Sequence, residues 1–244
     1  MPTVLVTGAG RGFGRGIATA FTATGADIIG VARTAAKLDA LRAELGDSFV
    51  PERADVTDPD VARDLIGKYR PDVLVLNAGA TPPMGPIHEH TWETFSRNWE
   101  VDTRHVFEWT REALRLPLAP GSVVVAVSSG AAVGGSPLSG GYAGAKSAIR
   151  FISSYAADES GRGALGIRFV ALLPQLTPAT DLGSVGVAAY AERQGVDAAA
   201  FARRLEPVLT PQGVGDAVVE LAGSGRDGLE YLLTGAGLKL LGDR

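Results

Sequence analysis

Tyr142 and Lys146 lie four residues apart in a segment of helical pattern, which puts both on one helix face. A lysine cation beside a phenol favours the phenolate, so the pair can give and take a proton at the oxygen of a carbonyl or its alcohol. The pair stands downstream of an apolar run ending Val127-Ser128-Ser129-Gly130 and of a Gly/Ser-rich loop. A second candidate lies near the start of the chain, where Thr7-Gly8-Ala9-Gly10-Arg11-Gly12-Phe13-Gly14 follows the first apolar run and opens a helical pattern. Glycines there let the backbone turn sharply and let a pyrophosphate approach the amides of a helix N-terminus. The spacing is G-x-x-x-G-x-G on Gly8, Gly12 and Gly14, distinct from G-x-G-x-x-G and without the Gly-Lys-Ser/Thr ending of a Walker loop. At the end of the second apolar run an acid would bond the 2′-hydroxyl of NAD, whereas Gly30-Val31-Ala32-Arg33-Thr34 offers a cation. Arg33, with Arg11 from the glycine loop, suits a 2′-phosphate, so the expected cofactor is NADP(H).

Residues this far apart act together only if the fold brings them to one edge. Short apolar runs at 3–6, 27–31, 49–50, 73–76, 122–127, 167–173 and 231–233 alternate with helical patterns near 14–23, 35–45, 59–69, 92–116, 142–159 and 211–222. That alternation predicts repeated βαβ units. The expected fold is α/β: a seven-stranded, mostly parallel sheet of the Rossmann-type doubly wound kind, with helices on both faces and ligands at the carboxyl ends of the strands. Residues 1–244 read as one nucleotide-binding catalytic domain. Residues 176–206, rich in Ala and Gly, interrupt the alternation and read as a substrate loop or lid with helices of its own.

Composition narrows the class. The 27 acidic against 23 basic residues give a net charge of −4 with no basic cluster, which argues against a nucleic-acid partner. The absence of cysteine excludes disulfide scaffolds, thiolate metal sites and cysteine nucleophiles. No stretch approaches the roughly 18 apolar residues of a membrane span. Met1-Pro2-Thr3 runs into Val4-Leu5-Val6 with no basic region ahead, so no cleavable leader and a cytoplasmic location are expected. His88, His90 and His105 match no metal-ligand spacing and read as loop or helix-cap histidines, so no metal is expected. Trp92, Phe95 and Trp99 recur at helical spacing and read as core or subunit-contact residues.

With these motifs assembled, the chain resembles the short-chain dehydrogenase/reductase family over essentially its whole length. The family's Thr-Gly-x-x-x-Gly-x-Gly falls on Thr7, Gly8, Gly12 and Gly14, its Asn-Ala-Gly on Asn77, Ala78 and Gly79, and its Tyr-x-x-x-Lys on Tyr142 and Lys146. The adenine-contacting acid matches Asp55, followed by Val56. The family's serine precedes the tyrosine by about 13 positions, and 142 − 129 = 13 selects Ser129 over Ser128. The resemblance implies that Ser129 hydrogen-bonds the substrate oxygen, Tyr142 delivers the proton, and Lys146 holds the nicotinamide ribose. It also implies a homodimer or homotetramer built through helices 92–116 and 142–159.

Two departures stand out. The family's helix-four asparagine falls on Asp102 in Glu100-Val101-Asp102-Thr103-Arg104, which keeps an acceptor but loses the amide donor. Either it is neutral, or Arg104 or Lys146 compensates its charge. Where the family has Pro-Gly and then a threonine for the nicotinamide carboxamide, this chain reads Pro174-Gln175-Leu176-Thr177-Pro178-Ala179-Thr180. Pro174 and Thr177 are the expected contacts, and Gln175 cannot take a positive φ as cheaply as glycine. The expected activity is reduction of a small, neutral, fairly hydrophobic ketone or aldehyde, or the reverse oxidation of its alcohol. A nucleotide-sensing protein without turnover and a lyase or epimerase remain as alternatives.

Overall fold

The computed structural model describes residues 1–223 and 227–241. Successive strand residues point to opposite faces, and the apolar residues here supply both. In β1 (Thr3–Thr7), Val4 and Val6 enter one core and Leu5 the other; in β4 (Val73–Leu76), Val73 and Val75 oppose Leu74 and Leu76. In β5 (Val123–Val127), Val123, Val125 and Val127 oppose Val124 and Ala126. Strands buried on both faces need a helical layer on each. α1 (Gly12–Ala23), α2 (Ala35–Leu45) and α10 (Pro211–Ala222) cover the first face with Ile17, Phe21, Leu38, Val214 and Val218. α3 (Pro59–Tyr69), α5 (Arg104–Arg115) and α7 (Gly140–Arg162) cover the second with Ile66, Val106, Trp109 and Ile149.

The remaining strands are β2 (Asp27–Ala32), β3 (Phe49–Arg53), β6 (Arg168–Pro174), β7 (Glu230–Thr234) and β8 (Gly237–Leu240). Among the described residues they form one eight-stranded sheet in the order β3-β2-β1-β4-β5-β6-β7-β8. The first seven run parallel and β8 returns antiparallel to β7. The doubly wound fold is as expected, with eight strands where seven were expected. β8 escapes a reading based on apolar runs because its residues are mostly exposed. The strand order reverses between β1 and β4, which opens a crevice at their carboxyl ends.

One helical region also differs from expectation. The stretch 92–116 is interrupted: α4 (Trp92–Asn98) and α5 flank a π-helical turn at Trp99–Thr103 that carries Asp102. π-Turns are rare and concentrate at functional positions, and a periodicity of 3.6 does not reveal one. Trp92 and Trp99 are exposed rather than core. The interval 176–206 contains α8 (Asp181–Arg193) and α9 (Ala198–Arg203), and a short α6 (Ala131–Gly134) follows β5. No described helix is long and apolar enough to cross a membrane.

Candidate active site

A cleft of about 1330 Å³ runs along the carboxyl ends of the strands. It is lined by Gly8, Arg11, Gly12, Phe13, Arg33, Asp55, Val56, Asn77, Ala78, Gly79, Asp102, Ser129, Tyr142, Lys146, Pro174 and Thr177, which gathers the residues singled out by sequence. Gly14 is the exception, lying behind the lining. A Cβ there would fall 2.2 Å from the Gly8 carbonyl oxygen, so only glycine lets α1 start this close to β1. Gly8 itself holds φ +70°, the left-handed region.

The start of α1 is built for an anion. Its N-cap residue, Arg11, makes no side-chain cap, and its first turn carries no acid. The amides left over at a helix start are therefore not taken by a side chain. Asn77 and Thr7 tie this turn to β4. The Asn77 amide donates to the Thr7 carbonyl at 3.0 Å, and Thr7 Oγ1 accepts from the backbone N–H groups of Asn77 and Ala78. These features fit a dinucleotide phosphate.

At the β2 end, Arg33 is exposed and lines the cleft together with Lys37 in the first turn of α2. Lys37 went unrecognised by sequence reasoning, although a basic residue one turn beyond Arg33 was the available signal. Arg11 instead reaches across to α8, pairing with Asp181 at 3.5 Å between two exposed side chains. Asp55 is held below its usual carboxylate range, first by the Thr57 backbone N–H and hydroxyl, with smaller help from Arg33 and Arg104.

At the β5 end the groups are buried. Lys146, 5% exposed, donates to the Val127 carbonyl at 3.0 Å and pairs with the Asp102 carboxylate at 3.2 Å. Its third N–H is unspent among the described residues. Burial pushes the Lys146 ammonium down, but the Asp102 carboxylate, with Tyr142 adding to it, outweighs burial and the net shift is upward. Asp102, 1% exposed, also accepts from the Ala80 N–H at 2.8 Å and the Asn98 amide at 3.3 Å. The lysine therefore provides the compensating charge, while Arg104 stays exposed. The Lys146 Nζ lies 5.6 Å from the Tyr142 ring centroid. Ser128 is buried and donates to the Lys146 carbonyl at 2.7 Å, whereas Ser129 is only half-buried. Ser129 Oγ accepts from the Ala131 N–H at 3.2 Å, which leaves its own proton available.

After β6, Gln175 has a negative φ, and its side-chain amide donates to the carbonyls of Leu205 and Pro207 at 3.3 and 3.4 Å. Thr177 is buried and donates its hydroxyl to the Leu209 carbonyl. Thr180 caps α8 and lies 3.8 Å from the position of a Cβ on Gly12. His105 corrects a further expectation: it is a fully buried residue of α5, edge-on to Trp109, rather than a loop or cap. Neither of its ring nitrogens reaches hydrogen-bond geometry among the described residues, although the Ala78 carbonyl is close enough to favour a ring proton. Burial dominates, with the Lys146 charge adding to it, and the imidazole is pushed down to about 3.

A family model described as short chain dehydrogenase matches residues 2–187. L-xylulose reductase of Homo sapiens is 38% identical over 124 residues, covering 50% of this chain and 50% of that enzyme, so the alignment spans half the relative's length. L-xylulose reductase of Bos taurus is 31% identical over 192 residues, covering 78% of this chain and 76% of that one. The structure of 3-ketoacyl-(acyl-carrier-protein) reductase from Brucella melitensis, complexed with NADH, superposes with a TM-score of 0.75 at 25% identity, covering 91% of each chain.

Proposed function

The chain belongs to the short-chain dehydrogenase family of oxidoreductases, and from that premise we propose that it reduces a small neutral ketone or aldehyde to its alcohol, or runs the reverse, with NADP(H). The observation that carries this reading is the convergence of Ser129, Tyr142 and a charge-paired Lys146 on one cleft. The bound nicotinamide nucleotide supplies the two electrons and one hydrogen of the reduction. Tyr142 gives the proton to the developing alkoxide. Ser129 donates a hydrogen bond to the same oxygen, so charge forming there meets two hydroxyls already in place. Lys146 stabilises the phenolate that Tyr142 becomes, and its third N–H is free for the nicotinamide ribose. Asp102 acts through the lysine and is a positioning residue.

The start of α1 takes the pyrophosphate, and Asn77, Ala78 and Gly79 border the nucleotide. Arg33 and Lys37 take the 2′-phosphate, and Asp55 with Val56 faces the adenine. Pro174 and Thr177 line the nicotinamide end, with the Thr177 hydroxyl already spent on Leu209. Residues 176–206 act as the substrate lid. Exposed Phe107, Phe151 and Tyr155 on α5 and α7 support a homodimer or homotetramer through those helices, and a monomer in light scattering would refute it.

The test is NADPH oxidation against a panel of aldehydes and ketones. Tyr142→Phe should lower turnover by about 10²- to 10⁴-fold while NADPH still raises the melting temperature. A Tyr142→Phe enzyme that keeps most of its turnover number overturns the assignment.

A further inference from the structure

The cleft contains a polar cluster that the reduction does not use. Ser136, in the loop after α6, lies within hydrogen-bond distance of two other hydroxyls, Ser139 Oγ at 2.6 Å and the Tyr190 phenol on α8. All three residues line the cleft that holds Tyr142 and Ser129. Ser139 is the N-cap residue of α7, three positions before Tyr142, and makes no side-chain cap there. Tyr190 stacks on Phe201 of α9 with ring centroids 6.3 Å apart. The cluster thus joins the 176–206 segment to the start of the helix that carries the tyrosine and lysine.

Three hydroxyls carry three protons, and the two contacts among them use two. One proton and several lone pairs are left facing a cleft whose other lining from these segments is mostly apolar or small, including Pro137, Leu182 and Val185, while its polar members are engaged elsewhere: Thr177 donates to the Leu209 carbonyl, Thr180 caps α8 and Asp181 pairs with Arg11. An apolar substrate would leave that proton unmatched, at a cost in binding. A carboxylate or phosphate would find no counter-charge, because residues 130–139 and 176–206 contribute no cation to the lining. The group that matches a site able both to donate and to accept is a neutral hydroxyl.

We propose that Ser136, Ser139 and Tyr190 form the subsite for a hydroxyl carried by the substrate beside its carbonyl, so that the substrate class is the neutral hydroxyketones and hydroxyaldehydes and the product is a diol or polyol. This rests on the reductase reading for the carbonyl and adds a requirement at a second oxygen. The site then selects against the matching deoxy ketone chiefly through KM.

The test pairs hydroxyketones, with the hydroxyl one, two or three carbons from the carbonyl, with their deoxy ketones, in wild type, Tyr190→Phe and Ser136→Ala. Binding of the corresponding diols and mono-alcohols is measured by calorimetry in the presence of NADP⁺, which needs no turnover. Wild type should prefer at least one hydroxylated member by about tenfold or more in both kcat/KM and Kd, and each variant should bring that ratio within about twofold of one. Because the readout is a ratio within one protein, partial loss of folded enzyme does not mimic it, and Ser136→Ala removes an oxygen without touching the stacked ring. No preference in wild type, or a preference that survives both variants, overturns the subsite. A diol preference lost in the variants, with no carbonyl reduced by wild type, upholds the subsite and overturns the reductase reading instead.

Discussion

The two ends of the cleft are built on opposite principles. At the β5 end, Lys146 and Asp102 are nearly devoid of solvent and bonded to each other, to Val127 and to Ala80. At the β2 end, Arg33 and Lys37 are exposed. Charges removed from water must be matched within the protein, so the β5 end is ordered by folding itself. Exposed cations lose little by waiting for a ligand. Stability and chemistry are therefore coupled at one end and separable at the other, and substitutions should divide along that line.

The largest effect on this comparison comes from Asp102. Asp102→Ala leaves the Lys146 ammonium buried with the Val127 carbonyl alone, and should cost about 3 to 5 kcal/mol in a urea melt. Asp102→Asn keeps an oxygen for the Ala80 N–H and should remain active near neutral pH. It removes the carboxylate that holds the lysine up, so the ammonium titrates at lower pH and activity should fall earlier on the alkaline side. In wild type the raised lysine contributes stability fully below its ordinary 10.5 and loses it only as pH climbs through the higher folded-state value. An Asp102→Ala enzyme as stable as wild type would show that folding does not depend on this pair.

His105 tests the buried side by acid. Its imidazole, ordinarily near 6.5, is pushed down to about 3, so the folded state holds it neutral where the unfolded chain would protonate it. Stability from this group is present above about pH 6.5 and drains away as pH falls towards 3. His105→Leu leaves no ring nitrogen unpartnered and should be near neutral at pH 8 and more stable than wild type by a few kcal/mol at pH 4. Parallel melting curves for the two proteins across that range would show that the buried ring does not titrate on unfolding.

What the sequence made legible follows the same division in physical terms. Tyr142 and Lys146 share one helix and Gly8, Gly12 and Gly14 share one turn, so spacing alone relates them. The apolar runs marked the central strands because a sheet covered on both faces leaves those strands few polar positions, whereas the edge strands β3 and β8 carry exposed residues and were read short or missed. Contacts between distant segments left no such trace. The Thr177 hydroxyl turns to Leu209, Gln175 to Leu205 and Pro207, and Ser136 to Tyr190, each through a loop whose path no local pattern dictates. Asp102 was picked out as a departure with Arg104 or Lys146 as the charge to compensate it, but the choice between them was left open, because the residue sits in a π-turn that helical periodicity conceals. His105 was misplaced because a polar residue in an amphipathic pattern is read as surface, whereas here it packs on Trp109.

The smallest effect, and the cleanest separation, belongs to the open end. If Arg33 and Lys37 serve the 2′-phosphate, wild type should bind NADPH more tightly than NADH. Arg33→Ala should weaken NADPH by about tenfold, with a further loss on adding Lys37→Ala, because charge-assisted bonds from exposed side chains are partly screened by water and salt. NADH binding should be unaffected, since it lacks the phosphate, and the NADPH preference should shrink as ionic strength rises. Neither cation supports the fold from its exposed position, so the melting temperature of the nucleotide-free protein should stay put in both variants, in contrast to Asp102→Ala. Fluorescence titration with both nucleotides, read beside melting curves, checks all of this. Tighter binding of NADH by wild type would reverse the cofactor assignment. A drop in nucleotide-free stability on losing Arg33 would instead mean that the open end, too, is held by the fold.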